Sequence, residues 1–214
     1  MTPALTDIEL VDAAAATYVA AAEPFARDPL SATRVLLTDR ADGLLVFAFE
    51  GTENPQGWAL DFDATHVWNH PTRKHATLGY IHAGFYLIAA QILSPVVAEI
   101  RKTNRPFALS GHSLGAALAL LIGGLLIDRG LVPVTIGAFA PPRVGYNKFV
   151  RAVSSVPIRA FRYGNDPVPE VPFYIPFFFP YQQVPLVAFG KAADDPFTCH
   201  HIQNYVSAVQ AART

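Results

Sequence analysis

The chain has 214 residues, of which 51% are hydrophobic and only 15% are charged, and its net charge is −1. This length predicts one domain over residues 1–214, and the balanced charge excludes the basic surface that nucleic-acid binding requires. The single cysteine, Cys199, allows no intramolecular disulfide bond.

The N-terminal segment lacks the basic stretch and the continuous apolar core of a signal peptide. On that ground we predict a cytoplasmic location. The longest apolar stretch, ALSGHSLGAALALLIGGLLI, is interrupted by glycines and carries His112 and Ser113 near its start. It fits a buried helix better than a membrane span, so we predict no transmembrane segment.

The first half of the chain begins with one helix and a hairpin. The capping box TDIE and apolar residues at helical spacing predict a helix over residues 7–22. RVLLTD and GLLVFAFEG then predict two strands that enter a larger sheet. A helical stretch over residues 84–103 contains Pro95, which should kink it or start a second helix.

Strands and helices alternate from residue 107 onward. PFALS, VPVTIGAFA, PIRAFRYG and QVPLVAF are typical of strands, while residues 114–129, GYNKFVRAV and HHIQNYVSAVQAA are typical of helices. This pattern predicts the α/β class, with a central, mostly parallel sheet flanked by helices. Residues 169–185 are rich in proline and aromatic residues and should form a long loop.

Residues 111–115, GHSLG, fit the G-x-S-x-G pattern of a strand-to-helix elbow that exposes a nucleophilic serine. The alternative is a structural turn with an idle serine. Ser113 would need a histidine base and a carboxylate, which follow the serine in the order acid, then histidine. The backbone N–H of Leu114, the next residue, would be one donor to the oxyanion.

Several carboxylates downstream of the serine remain possible as the acid: Asp166, Glu170, Asp194 and Asp195. Asp166 is favoured because it follows a predicted strand at the sheet edge where the elbow must also lie. An aspartate before proline is also an ordinary turn initiator.

Four more segments accompany the elbow: FEGTENPQGWALDFDA, IHAGFY, FAPPRVGYNKF and RYGNDPVPEVP. Together and in this order, across residues 45–206, the five segments resemble the class 3 lipases, which are fungal triacylglycerol lipase-like α/β-hydrolases. The resemblance implies an α/β-hydrolase fold with Ser113 as nucleophile, Asp166 as acid and Thr52 as the second oxyanion donor. Where this chain has Glu50, the family usually has arginine.

The resemblance places the catalytic histidine at the start of the last helix, where His200 and His201 are adjacent. His200 is our choice because Ile202 and Tyr205 follow it at the spacing that family members often show. His201 remains the alternative.

The resemblance also points to residues that would contact a substrate. Trp58 lies in residues 53–60, where fungal members carry an interfacial lid, and His82 would belong to the wall of the active site. The aromatic loop would form either an acyl pocket or packed core. Its candidate substrate-binding residues are Phe173, Tyr174 and Phe177.

Two other patterns imitate functional sites. His66 and His70, with Asp61 and Asp63 before them, imitate a metal pair, but they coincide with the lipase-like segment and form no H-E-x-x-H arrangement. Cys199 lies beside two histidines, and no other feature supports a thiol nucleophile. We therefore expect no metal and no organic cofactor.

The function predicted from the sequence is that of a serine carboxyl-ester hydrolase. Its substrate would be an acyl ester of a lipid or a glyceride, and a lipid–water interface is one place where the protein could meet it. Three alternatives remain: an acyltransferase, a catalytically silent α/β-hydrolase fold that binds apolar ligands, and a membrane-associated interaction protein built on the aromatic loop. The sequence does not indicate the oligomeric state.

Overall fold

A computed structural model of the chain describes residues 5–29, 33–52, 72–172 and 180–212. From residue 107 onward strands and helices alternate in the predicted manner. The strands are β1 (Ala26–Arg27), β2 (Arg34–Asp39), β3 (Leu45–Phe49), β4 (Thr72–His75), β5 (Gly79–His82), β6 (Phe107–His112), β7 (Ile136–Phe139), β8 (Ile158–Tyr163) and β9 (Val187–Phe189). The helices are α1 (Asp7–Ala16), α2 (Ala83–Thr103), α3 (Leu114–Ile127), α4 (Asn147–Val153) and α5 (Ile202–Ala211).

Seven of these strands form one sheet in the order β1-β2-β3-β6-β7-β8-β9, and β4 pairs with β5 in a separate antiparallel hairpin. The pairs β1-β2 and β2-β3 are antiparallel, and the remaining pairs of the main sheet are parallel. The predicted α/β class and its central, mostly parallel sheet are therefore confirmed. Because β6, β7 and β8 are parallel neighbours, their C-terminal ends lie at the same edge of the sheet.

The two faces of the sheet carry separate apolar clusters. Leu109 and Ile136 contribute to the larger cluster, which also contains the buried sides of α2 and α3. Phe139 and Phe161 lie in the smaller cluster with the apolar residues of α1 and α5. Because successive strand residues point to opposite faces, a nearly uninterrupted apolar strand such as β7 serves both clusters.

Helix α1 begins at the predicted capping box but ends at Ala16, not at residue 22. The guanidinium of Arg34 donates hydrogen bonds to the carbonyl groups of Thr17 and Val19, and the Thr17 hydroxyl donates to the carbonyl of Ala14 at 2.7 Å. These carbonyl groups therefore have partners outside a helix, and the following residues form turns. Arg34 is distant in sequence, so helical spacing alone gave a helix that was too long.

Helix α2 continues through Pro95, so no second helix begins there. By length and composition alone it is the one described helix that would suffice to cross a membrane. Part of its surface, including Phe85, Ile92 and Val96, lies in the larger apolar cluster. The stretch singled out in the sequence forms β6 and α3, and every residue from Leu114 to Leu126 is buried.

The predicted loop at residues 169–185 is only partly described, because residues 173–179 lie outside the described ranges. Its first residues belong to a short 3-10 helix, Val168–Glu170. After it, Gln182 forms an isolated bridge with Gly145, and the chain enters β9 beside β8. The described ends of the loop are thus attached to the body of the fold.

Candidate active site

Strand β6 ends at His112, and helix α3 begins at Leu114, so Ser113 occupies the turn between them. Its backbone has φ 58° and ψ −126°, a conformation that residues other than glycine rarely adopt. The Ser113 N–H donates to the carbonyl of Phe139 on the neighbouring strand at 2.9 Å. The strained turn expected of a nucleophile elbow is present.

The two glycines of the motif allow this turn to pack. A Cβ at Gly111 would lie 2.2 Å from the carbonyl oxygen of Gly115, and a Cβ at Gly115 would lie 2.0 Å from that of Phe49. No side chain fits at such distances, and the atoms in the way belong to the backbone. The start of α3 therefore lies directly against the end of β3.

Hydrogen bonds connect three buried side chains end to end. Nδ1 of His200 lies 2.8 Å from Oδ2 of Asp166, and Nε2 of His200 lies 2.9 Å from Oγ of Ser113. Because a carboxylate only accepts, Nδ1 carries the ring proton, and the lone pair of Nε2 faces the serine hydroxyl. This arrangement gives the hydroxyl an adjacent base that a carboxylate orients.

Two further hydrogen bonds hold Asp166, which follows β8. The hydroxyl of Tyr205 on α5 donates to Oδ2 at 2.6 Å, and the backbone N–H of Val168 donates to Oδ1 at 2.9 Å. The Tyr205 oxygen in turn accepts from the N–H of Tyr163 at 3.0 Å. Burial and the nearby Asp166 charge raise the pKa of Tyr205 well above its usual value, so it stays a donor. The sequence analysis used Tyr205 only as a spacing marker and missed this contact.

The other acids and the second histidine have different partners. Glu170 forms ion pairs with Arg143 and Arg162, and Asp195 caps the 3-10 helix Pro196–His200, with its Oδ1 accepting from the N–H of Phe197 at 3.1 Å. Asp194 is exposed, and so is His201, which precedes α5. Among the described candidates, the structure brings Asp166 and His200 to Ser113.

His112, the residue before the serine, is buried beside the ring of His200, at 4.7 Å between ring centroids. Its Nε2 lies 2.9 Å from the carbonyl oxygen of His200, and its Nδ1 lies 2.8 Å from the hydroxyl of Tyr18. Burial, and secondarily the charge of His200, lower the pKa of His112 well below its usual value, so the ring is neutral. His112, at the first variable position of the G-x-S-x-G motif, is thus hydrogen-bonded to the main chain of His200, the candidate base.

The loop after β3 contains the residues expected to supply the second oxyanion donor. Gly51 lies against the elbow, since a Cβ there would be 2.7 Å from the carbonyl oxygen of His112, and Thr52 follows it. Before it, the buried carboxylate of Glu50 pairs with Arg34, whose Nη2 lies 2.7 Å from Oε1. The family's usual arginine is thus replaced by an acid that has its own buried partner, contributed by β2.

The remaining sequence candidates fall into two groups. His82 precedes α2 as its N-cap, where Nδ1 accepts from the N–H of Phe85 at 3.3 Å, and its ring packs near Tyr181. Cys199 is a buried free thiol whose Sγ lies 3.1 Å from Oδ1 of Asn165. Several candidates lie outside the described residues: Trp58, Asp61, Asp63, His66, His70, Phe173, Tyr174, Phe177 and the lid-like residues 53–60. The described part of the chain contains no cluster of residues suited to a metal ion.

Comparisons with known proteins agree with this geometry. The family model described as Lipase (class 3) matches residues 46–175. Secreted mono- and diacylglycerol lipase A from Penicillium cyclopium is 28% identical over 143 residues, which are 64% of this chain and 46% of the relative. Phospholipase A1-II 3 from Oryza sativa subsp. indica is 31% identical over 162 residues, which are 58% of this chain and 37% of the relative. The chain thus spans less than half the length of these two relatives.

The predicted cytoplasmic location is contradicted, because the Penicillium relative is named as a secreted lipase. The prediction rested on the lack of a signal-peptide pattern in the N-terminal residues, and the fold itself does not indicate a compartment. Among solved structures, a crystal structure of a mutant form of MDLA from Penicillium cyclopium superposes with a TM-score of 0.70 at 20% identity. It covers 88% of this chain and 80% of that one. The chain has the α/β-hydrolase fold of the fungal lipases and belongs to the class 3 lipase family.

Proposed function

We propose that the protein is a serine carboxyl-ester hydrolase, with Ser113 as nucleophile, His200 as base and Asp166 as the orienting acid. One observation carries the proposal: the three side chains form a continuous hydrogen-bonded chain at a strained strand-to-helix turn. A positive φ at a buried serine is costly, and such strain is typical of functional sites. We further propose that residues 1–214 form a single domain.

In the first half of the reaction, Nε2 of His200 takes the proton of the Ser113 hydroxyl as Oγ attacks the ester carbonyl. Asp166 stabilises the resulting imidazolium and holds its Nδ1 proton. The backbone N–H groups of Leu114 and Thr52 stabilise the oxyanion of the tetrahedral intermediate. His200 then protonates the leaving alcohol, and an acyl-serine remains.

In the second half, His200 takes a proton from water, which attacks the acyl-serine. The tetrahedral intermediate then collapses, His200 returns the proton to Oγ of Ser113, and the fatty acid is released. The burial of all three side chains supports this mechanism, because exclusion of bulk solvent strengthens the interactions that stabilise charge in the transition state. Each step uses a group of the protein or water.

The proposed substrates are acyl esters of glycerolipids. The names of the two relatives support this class, since one is a mono- and diacylglycerol lipase and the other a phospholipase A1. Both kinds of enzyme cleave an ester between a fatty acyl chain and glycerol. The predicted contacts through Trp58, His82, Phe173, Tyr174 and Phe177 belong to this proposal.

The test is the initial rate of hydrolysis of p-nitrophenyl esters from acetate to palmitate, with Ser113→Ala as the paired variant. We expect Ser113→Ala to lower kcat by about 10⁴-fold or more, because the nucleophile is lost. Ser110→Ala is the matched control: its hydroxyl is also buried in β6 but donates to the Leu10 carbonyl at 2.6 Å, away from the triad. It should retain most of the activity.

Labelling with a fluorophosphonate separates the alternatives. Wild-type protein and Ser110→Ala should be labelled, and Ser113→Ala should not be. Full turnover by Ser113→Ala would refute the assignment of the nucleophile. Absence of both labelling and turnover in the wild type would instead favour the catalytically silent fold, and product analysis with an added alcohol distinguishes hydrolysis from acyl transfer.

A further inference from the structure

Two side chains outside the triad connect three parts of the candidate active site. The hydroxyl of Tyr18 lies 2.8 Å from Nδ1 of His112, and Nε2 of His112 lies 2.9 Å from the carbonyl oxygen of His200. The Tyr18 hydroxyl also packs against Gly51, the residue before Thr52, since a Cβ at Gly51 would lie 2.2 Å from the Tyr18 oxygen. The contacts run from the loop after β3, through the elbow, to the main chain of the histidine.

The direction of each hydrogen bond is determined. The His200 carbonyl only accepts, so the single proton of the neutral His112 ring lies on Nε2. Nδ1 of His112 therefore accepts from the Tyr18 hydroxyl. Each atom can act only as the donor or only as the acceptor in its hydrogen bond, so this row of hydrogen bonds has one stable arrangement.

Tyr18 itself is held on both sides. Arg34 donates to the carbonyl groups of Thr17 and Val19, the two neighbours of Tyr18 in the sequence. Arg34 also pairs with Glu50, which precedes Gly51. Tyr18 and the loop after β3 are thus held together twice, once by the packing of the Tyr18 hydroxyl against Gly51 and once through the buried ion pair.

We infer that Tyr18 and His112 are positioning residues that hold the main chain of His200 and the Gly51–Thr52 loop in fixed register with Ser113. Asp166 orients the ring of His200 from one side, and His112 fixes its main chain from another. The same pair of residues fixes the loop that presents Thr52. The inference rests on the proposed function, because a base and an oxyanion donor must meet at one ester carbonyl.

The first experiment measures kcat and KM for Tyr18→Phe, which removes one hydroxyl and keeps the ring. We expect kcat to fall about tenfold or more with KM within about twofold of wild type, because base and oxyanion donor are displaced and binding is not. Every variant is assayed well below its melting temperature, so that loss of folded protein does not contribute. A kcat within about twofold of wild type would overturn the inference.

Two replacements of His112 separate its two contacts. In His112→Gln the side-chain amide can reach the His200 carbonyl but lacks the acceptor at Nδ1, whereas in His112→Asn the amide oxygen takes the place of Nδ1 but the donor to His200 is missing. We expect both to lower kcat. Because Tyr18→Phe and His112→Gln remove the same hydrogen bond, their combination should be little worse than either alone. Fully additive losses would show independent roles and contradict the inference.

A measurement that needs no turnover completes the test. Nitrogen-15 spectra of labelled histidines should show His112 protonated at Nε2, and Tyr18→Phe should shift the resonances of both His112 and His200. Unchanged His200 resonances would overturn the inference even in an inactive protein. An inactive wild type with shifted His200 resonances would refute the proposed function and leave the positioning contacts supported, so the two failures are distinguishable.

Discussion

The elbow and the acid–base side of the candidate active site are held in different ways. At the elbow, backbone atoms leave no room: Gly111 and Gly115 lie where any Cβ would meet a carbonyl oxygen. On the other side, Asp166 lies in the turn after β8, and His200 ends a 3-10 helix before α5. Side-chain hydrogen bonds fix both residues. One region depends on close packing of the main chain, and the other depends on a few polar atoms.

This difference predicts how each region responds to substitution. Backbone packing cannot be disturbed locally, because an added methyl group at the elbow displaces β3 from α3 and thus affects the core. A lost hydrogen bond leaves the fold in place, reduces stability less, and changes the positions of the reacting groups. Substitutions at the elbow should therefore reduce stability, and those on the acid–base side should reduce kcat.

The largest expected effect follows from Gly115→Ala. Its Cβ would lie 2.0 Å from the carbonyl oxygen of Phe49, and neither backbone segment can move without disrupting the sheet. We expect a loss of about 3 kcal/mol or more in the free energy of unfolding, measured by denaturant titration.

Gly124→Ala is the control in the same helix. There the nearest atoms to the added Cβ are side-chain methyl groups of Val153 and Leu78, at 3.1 and 3.3 Å, which can adjust. The gain in helix propensity offsets much of the crowding, so the change should stay within about 1 kcal/mol. Equal destabilisation by both variants would contradict the distinction between the two regions.

A smaller effect, and one mainly on rate, is expected from Tyr205→Phe. The variant removes the donor to Oδ2 of Asp166 and the acceptor for the N–H of Tyr163. We expect kcat to fall about tenfold, because Asp166 is held less firmly, and the free energy of unfolding to fall by about 2 kcal/mol.

Tyr80→Phe is the matched control, since Tyr80 is 44% exposed and belongs to the β4-β5 hairpin. It should leave kcat and stability near those of wild type. If Tyr205→Phe lowered stability as much as Gly115→Ala and left kcat unchanged, the acid–base side would depend on packing in the same way as the elbow.

The smallest effect concerns pH. Burial holds the pKa of His112 well below its usual value, so the folded protein does not take up a proton there when the unfolded chain does, near pH 6.5. As pH falls below about 6.5, the unfolded state binds the additional proton, and stability decreases by about 1.4 kcal/mol per pH unit until the folded pKa is reached.

The contribution of His112 is therefore fully present above about pH 6.5 and is lost toward lower pH. His112→Gln cannot titrate, so between pH 7.5 and 5.5 its stability should fall by about 1.4 kcal/mol less than that of wild type. Parallel stability curves for the two proteins, measured by denaturant titration at each pH, would show that His112 takes up its proton over the same pH range in the folded and unfolded states.

Much of the fold was predictable because its signals are local. The capping box at Thr6 and Glu9, the hairpin of β2 and β3, and the apolar strands before and after α3 each depend on neighbours in the sequence. The end of α1 was not predictable, since it depends on Arg34. Periodicity indicates which part of a sequence can form an amphipathic helix, but the end of α1 is fixed by contacts with Arg34, which is distant in the sequence.

The same distinction applies to the candidate active site. Ser113 is recognisable because its turn needs glycines at two fixed positions. The sequence left His201 as an alternative to His200, because only the folded chain shows that the 3-10 helix ends at His200 and directs that ring toward Ser113. Tyr18, His112 and Tyr205 carry no local signal for their contacts, which join segments that only the folded sheet brings together.

The buried pair of Arg34 and Glu50 limits which parts of this protein can be exchanged with those of relatives. A graft of the usual family loop would place arginine at residue 50, and two guanidinium groups would then share one buried site beside the carbonyl groups that follow α1. An acidic residue at position 34, as in Arg34→Glu, would be needed at the same time to restore opposite charges. The loop and strand β2 must therefore be exchanged together. Chimeras or libraries that vary the loop alone would fold poorly, because the charge that opposes residue 50 lies on β2 and not in the loop.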